Sequence, residues 1–253
     1  ESEPKSAATA QATAPTDDAP DDLLEAAHAG RLEAVRKLVD AGEEVDQADA
    51  HGRTALILAA ALGHADVAAL LLEREENGLT TKRGTQRLVD AKDADGSTAL
   101  LAAACEGQTA ALAVLLKAGA DATSENAQGV SPLLKASMEG HCEVVTLLVS
   151  HGVPVDVMSA TSGSTPLTTA AANGHATTVE ALLKGGASVD TPAKGGGTAL
   201  LYAAAGGHSD AVSALISHGA SVEARTGGGR TPLMLLAQTG LAETLAELLR
   251  GKP

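Results

Sequence analysis

The sequence predicts an all-α fold, a solenoid of stacked helix-turn-helix units with short β-hairpin-like turns. One observation is a glycine-marked segment that recurs at a step of about 33 residues, a period typical of helical repeats. A second is composition, since the 253 residues contain no Trp, no Phe and one Tyr, Tyr202. A deep core usually relies on aromatic side chains for its buried area. A chain with so few is expected to pack its helices closely, in thin layers.

Each unit after the first begins with the run Gly-x-Thr/Ser-Ala/Pro-Leu, which predicts the start of its first helix. The Thr or Ser hydroxyl accepts a hydrogen bond from a free amide at a helix N-terminus, and Pro fits the first turn. The complete runs are Gly52–Leu56, Gly96–Leu100, Gly129–Leu133, Gly163–Leu167, Gly196–Leu200 and Gly229–Leu233. A second Gly then predicts the end of that helix. These second glycines are Gly30, Gly63, Gly107, Gly140, Gly174, Gly207 and Gly240.

The second helix of each unit is predicted by an apolar stripe at i, i+3, i+4 spacing, such as Val144, Leu147 and Leu148. Small pairs in the first helices, such as Ala203 and Ala204, allow neighbouring helices to approach closely. A further Gly, a short extended segment and a polar turn lead to the next unit. The pattern therefore predicts two helices per unit.

This arrangement resembles the ankyrin repeat, in which a turn and two antiparallel helices recur with a period near 33 residues. The resemblance runs from Asp22 to about Lys252. It implies an ankyrin repeat domain over 22–253, a curved stack of about seven repeats whose hairpin tips and first helices line a concave, protein-binding groove. The predicted units lie near 22–48, 49–92, 93–125, 126–159, 160–192, 193–225 and 226–253.

Two segments depart from the repeat. Residues 1–21 are rich in Ala, Thr, Pro and Asp, and we expect an acidic, disordered tail. The second unit is longer than the others and predicts an insertion over 74–87, whose cations Lys82, Arg83 and Arg87 stand in an acidic region. This insertion is either a tolerated surface loop, since lengthening a loop costs little, or a docking element for a partner.

Charge and motifs exclude several function classes. The net charge of −14 argues against nucleic acid and anionic membrane surfaces as partners, because both require clustered Lys and Arg. No apolar run reaches the roughly 18 residues that span a bilayer, so direct membrane insertion is not expected. The run Lys194–Thr198 lacks the Gly-Lys-Ser/Thr order of a phosphate-binding loop. Without a catalytic motif, the chain is predicted not to be an enzyme and to need no cofactor.

The histidines and cysteines have structural explanations. Four histidines directly follow second glycines, and we call them the ladder histidines: His64, His141, His175 and His208. Packed helix layers lie roughly 10 Å apart, whereas zinc ligands lie about 2 Å from the metal, so a ladder of this kind predicts no metal site. Cys105 and Cys142 are predicted to be free thiols in small apolar slots, without a nucleophilic role.

The ankyrin resemblance implies which side chains face the groove, since the two residues before each second Gly and the hairpin tips line it. The implied partner contacts are Arg53, Leu62, Asp95, Glu106, Val130, Met138 and Glu139, joined by Lys82, Arg83 and Arg87 of the insertion. This apolar and acidic strip favours another protein as partner, through a segment with Lys or Arg beside a few apolar anchors. Trp, Tyr and Arg are missing from the helix-end positions, so affinity is expected to be spread along the groove.

The predicted function is a protein–protein interaction adaptor or scaffold, for which self-association is not required. Two alternatives stay open: a permanent structural subunit of a larger multiprotein complex, or the ankyrin part of a larger enzyme or channel. Two unpaired cysteines and the lack of an N-glycosylation sequon favour a cytoplasmic location. The alternative is an organelle interior after removal of a targeting segment, because the chain begins at Glu1 rather than Met.

Overall fold

The computed structural model describes residues 22–76 and 87–241, together with Thr244 and Ala246. The predicted tail over 1–21 and the predicted contact residues Lys82 and Arg83 lie outside these residues. The described chain forms successive helix pairs and contains no β-strand, which confirms the all-α solenoid. The first helices are α1 (Leu23–His28), α3 (Ala55–Ala61), α5 (Ala99–Cys105), α7 (Pro132–Glu139), α9 (Pro166–Ala172), α11 (Ala199–Gly206) and α13 (Pro232–Thr239). The second helices are α2 (Leu32–Asp40), α4 (Ala65–Glu76), α6 (Thr109–Lys117), α8 (Cys142–Ser150), α10 (Ala176–Lys184) and α12 (Ser209–Ser217), with a 3-10 helix at Leu88–Asp90.

Side-chain caps begin most of the first helices, as the Thr/Ser pattern predicts. The hydroxyl of Thr54 accepts a hydrogen bond from the third amide of α3 at 3.3 Å, and Thr98 does the same for α5 at 3.2 Å. Asp22 takes this role in the first unit, with its carboxylate 2.7 Å from the third amide of α1. In α9, Thr165 and Thr168 cap each other's backbone amides. A cap of this kind contributes about 1 kcal/mol.

A thin, continuous core runs along the solenoid. Neighbouring first helices meet at fully buried alanines, and the second helices contribute fully buried leucines. The alanines are Ala59, Ala103, Ala136, Ala170 and Ala203, and the leucines are Leu71, Leu115, Leu148, Leu182 and Leu215. In the last unit Leu236 takes the alanine position and is also fully buried, whereas Met234 is 53% exposed. The bulkier side chain therefore covers the end of the core.

The ladder histidines link adjacent units. Each places Nε2 against a main-chain carbonyl oxygen of the preceding unit, at distances of 3.1, 2.9, 2.9 and 3.0 Å in chain order. For His175 the acceptor is Met138, and the ring also lies against Gly140, where a Cβ would come within 2.6 Å of Nδ1. Nearest-neighbour contacts of this kind are the main source of stability in a solenoid.

The hairpin tips form a second line of contacts between units. The carboxylate of Asp49 accepts hydrogen bonds from two backbone amides of its own turn, both at 2.9 Å. The side-chain oxygens of Asp93 and Asn126 accept the same pair of bonds in their turns. Successive tips are joined by main-chain hydrogen bonds, such as that from Ala94 N to His51 O at 2.9 Å. The predicted hairpin-like turns thus hold the tips in a row, with one isolated β-bridge.

The predicted insertion over 74–87 starts inside a helix, because α4 continues to Glu76. Arg74 lies on this helix and forms an ion pair with Asp40 of α2 at 2.5 Å. The beginning of the insertion is therefore tied to the preceding unit.

One buried hydroxyl offers a test of the core. Thr178 of α10 is fully buried and its Oγ1 has no hydrogen-bond partner, whereas the equivalent residue of the preceding unit is Val144. An unpaired buried hydroxyl costs roughly 1–3 kcal/mol. We expect Thr178→Val to raise the free energy of unfolding by about 1 kcal/mol in urea titration, and the melting temperature by about 2–4 °C. The neighbouring Thr177→Val is the control, because Thr177 is exposed. Equal or lower stability of Thr178→Val would contradict the prediction.

Candidate protein-binding groove

The exposed sides of the first helices and the hairpin tips form one surface, which we call the groove. Large apolar side chains exposed on it include Leu62 at 44%, Met138 at 36%, Tyr202 at 36% and Met234 at 53%. Single exposed apolar residues are ordinary on a protein surface, and these occur at different repeat positions of separate units. Leu62 and Met138 are among the sequence-predicted contacts.

An open cleft of about 230 Å³ lies in the groove across the second, third and fourth units. It brings together the predicted contacts Arg53, Glu106 and Val130. The side chains of Leu101 and Cys105 form part of the apolar wall of this cleft. The cleft therefore combines polar groups with apolar surface, as a protein-binding site requires.

The remaining predicted groove residues lie outside this cleft. Leu62 caps α3, Met138 and Glu139 end α7, and Asp95 lies at a hairpin tip. All four are exposed. The structure thus assembles three of the seven groove contacts into one cleft and distributes the others along the same surface.

Two ion pairs neutralise the cations of this part of the groove. Arg53 Nη2 lies 2.7 Å from Asp49 Oδ2, and Lys135 Nζ lies 2.6 Å from Glu139 Oε1. The hydrogen bond from Lys135 lowers the pKa of Glu139, and the same bond raises the pKa of Lys135. Both groups of that pair therefore stay charged at neutral pH.

Two further carboxylates of this part of the groove, Asp95 and Glu106, are not neutralised by ion pairs with described residues. Asp95 and Glu106 are both exposed, and within the described part of the chain no cation lies at ion-pair distance from either. This part of the groove therefore combines unneutralised negative charge with apolar surface.

The surroundings of Cys105 disfavour a reactive thiolate. The ring of His141 contacts the main-chain oxygen of Cys105 at 2.9 Å. Burial raises the pKa of the Cys105 thiol, and nearby Lys135 only partly opposes this. A thiol with a raised pKa stays protonated at neutral pH, whereas the thiolate is the reactive form. Cys105 is therefore an uncharged part of the cleft wall and not a reactive thiolate.

Arg87 already has partners within the chain. Its guanidinium donates to the carbonyl oxygens of Ala118 at 2.5 Å and Gly119 at 3.2 Å, at the end of α6, and lies 4.0 Å from Asp90. A cation is favoured at a helix C-terminus. Arg87, one of the three predicted contacts of the insertion, thus links the second unit to the third.

Tyr202 is a groove residue that the sequence analysis missed. It lies on α11 and, with Leu201, Leu235 and Arg230, lines an open cleft of about 500 Å³. The signal was available, because Tyr202 occupies the repeat position of Lys135, which lines the cleft of the earlier units. This cleft therefore carries an aromatic ring and a guanidinium, neither of which stands at a helix-end position.

Another cleft, of about 510 Å³, lies between the second helices α8 and α10, away from the groove. Its charged residues, Glu180 and Lys184, pair with each other at 2.9 Å. The thiol of Cys142 lies 3.5 Å from the main-chain oxygen of Thr177. This cleft offers no unpaired charge to a ligand.

Among the described residues, no three His, Cys, Asp or Glu side chains are grouped so that they could hold a metal ion. In the same part of the chain, no helix has the length and apolar character needed to cross a membrane.

Comparison with known proteins places this fold. The family model described as ankyrin repeats (3 copies) matches residues 23–126, 81–159, 116–193 and 167–252. The human ASB11 ankyrin repeat domain is 30% identical, with a TM-score of 0.77, over 92% of this chain and 98% of that domain. The ankyrin repeat domain of Bcl-3, a member of the IkappaB protein family, is 28% identical, with a TM-score of 0.73, over 92% and 99%. A search of curated protein sequences finds no match. The chain belongs to the ankyrin repeat family.

Proposed function

We propose that this chain is a non-enzymatic adaptor or scaffold that holds a segment of another protein in its groove. Ankyrin repeats generally mediate protein–protein interaction. The observation that carries the proposal is the occurrence of exposed apolar side chains, Leu62 and Met138 among them, on the same surface as the acidic Asp95 and Glu106. Apolar anchors supply binding energy, and surrounding charges set specificity and association rate.

The acidic surplus favours a partner segment that carries Lys or Arg. Because Arg53 and Lys135 are already paired with carboxylates of their own units, an incoming cation would find Asp95 and Glu106 available. We propose the cytoplasm as the compartment, in which the free thiols Cys105 and Cys142 would stay reduced.

Site-specific photo-cross-linking in cell extract tests this proposal. A photoreactive residue replaces Leu62 or Met138 in the groove, and Ala69, exposed on α4, serves as the matched control. We expect discrete protein adducts from both groove positions, fewer after Glu106→Lys, and none from Ala69. Adducts that form mainly from Ala69, or groove adducts insensitive to Glu106→Lys, would contradict the proposal.

The same experiment separates an adaptor from a permanent subunit. Exposed charge pairs are screened by salt, so adducts of a reversible adaptor should decline when the extract is washed at high ionic strength before irradiation. Adducts that survive the wash unchanged would indicate a permanently assembled subunit.

A further inference from the structure

The groove is divided by charge. We call Asp95 and Glu106, in the third unit, its acidic end, and Lys194 and Arg230, in the sixth and seventh units, its cationic end. All four side chains are exposed, and within the described residues none has an ion-pair partner of opposite charge. The groove residue of the fifth unit before its second Gly is the uncharged Asn173. Unpaired charge thus changes sign along one surface.

The cationic end has the features of a binding cleft. Arg230 and Tyr202 line the cleft of about 500 Å³, and the tyrosine ring rests on Gly197, where a Cβ would lie 2.9 Å from the ring. Because further glycines, such as Gly228, form the hairpins beside the ring, no bulky side chain fills the space.

The polar groups of this cleft are available to a ligand. The guanidinium of Arg230 has one long contact, 3.4 Å to Gln238 Oε1. In the described part of the chain, the hydroxyl of Tyr202 has no hydrogen-bond partner. Guanidinium and phenol groups both donate hydrogen bonds to carboxylates, and arginine can do so with two parallel bonds.

The acidic end favours positive charge in a ligand, the opposite of the cationic end. Its own cations are neutralised within the chain, as the Lys135–Glu139 pair at 2.6 Å illustrates. A carboxylate of a partner would meet unpaired negative charge there, and a Lys or Arg would meet attraction. The two ends therefore select opposite charges.

We propose that the groove binds a single partner segment that is itself divided by charge, with Lys or Arg over the acidic end and Asp or Glu in the Tyr202–Arg230 cleft. This inference rests on the proposed function and specifies its ligand. Three to four unit steps separate the two ends, or roughly 30–40 Å at about 10 Å per helix layer. An extended segment covers that span with about nine to twelve residues, at ~3.3 Å per residue.

Selection from a displayed library of random peptides tests the proposal. Peptides of roughly sixteen residues exceed the required span at ~3.3 Å per residue. We expect the intact chain to enrich peptides with a basic and an acidic cluster about nine to twelve residues apart. Selection on Arg230→Glu is expected to lose the acidic cluster and retain the basic one. Selection on Glu106→Lys is expected to do the reverse.

Affinity measurements on one enriched peptide sharpen this test. Arg230→Glu should weaken binding about five- to tenfold, as expected for exposed charge reversal, and replacing the peptide's acids with Lys should restore it. Lys117→Glu is the matched control, because it makes the same change in net charge on exposed α6, and it should leave binding unchanged. Circular dichroism verifies that each variant is folded.

The possible failures are distinguishable. Enriched peptides that lack an acidic cluster, or equal losses in Arg230→Glu and Lys117→Glu, would overturn the charge-divided segment and leave the groove as a protein-binding site. If no peptide that depends on groove residues is enriched, the proposed function fails as well.

Discussion

Gly140→Ala is expected to lower the free energy of unfolding by about 2–3 kcal/mol. Gly140 ends α7 with φ at 81°, a left-handed conformation that costs roughly 1–2 kcal/mol for a residue with a Cβ. The new Cβ would also lie 2.6 Å from Nδ1 of His175, so the ring must move. Its Nε2 would then leave the oxygen of Met138, now 2.9 Å away, and such a hydrogen bond is worth about 0.5–1.5 kcal/mol.

Gly152 provides a matched control. Its φ is 80°, yet nothing lies within 4 Å of an added Cβ. Gly152→Ala should therefore carry the conformational cost alone, about 1 kcal/mol after the reduced entropy of the unfolded chain is included. Urea titration of both variants isolates the contact between units as the difference between them.

A third variant tests the assignment to the histidine. In a His175→Ala background, Gly140→Ala should lose its excess over Gly152→Ala, because no ring remains to be displaced. If the two glycine substitutions cost the same in the parent chain, the histidine contact contributes nothing to the coupling between units.

The fold could be predicted from the sequence because its main determinants act locally. Thr54 caps the helix that follows it, and Gly140 ends the helix that precedes it, so each acts within one turn of its own position. Such residues recur at a fixed step, and the step itself predicts the stacking. The ladder position also predicted a structural role for His175, although its acceptor on Met138 required the structure.

The groove was less predictable because its contents depend on contacts between units. Tyr202 is exposed beside a cleft because glycines form the neighbouring hairpins, a combination that no single repeat position reveals. Arg87 is a predicted contact of the insertion, and only the structure shows that its guanidinium donates to the oxygen of Ala118, 31 residues later. The pair Lys135–Glu139 has the i, i+4 spacing of a helical ion pair and could have been anticipated.

The other large effect concerns two leucines at opposite ends of α3. Leu56→Ala is expected to lower the free energy of unfolding by about 3–5 kcal/mol, because Leu56 is fully buried and its removal leaves a cavity. Leu62→Ala should change stability by less than about 0.5 kcal/mol, because Leu62 is 44% exposed. Urea titration of the two variants measures both values.

Binding should show the opposite ranking. Leu62 lies in the groove, and truncating an apolar anchor at an interface often costs more than about 1 kcal/mol of binding free energy, or roughly fivefold in affinity. Measured on groove-selected peptides, Leu62→Ala should weaken binding, and Leu56→Ala should retain affinity in whatever fraction stays folded. A Leu62→Ala variant with lost stability and unchanged affinity would mean that this leucine belongs to the core of the solenoid. The reverse result would mean that its exposed apolar surface is maintained for a partner.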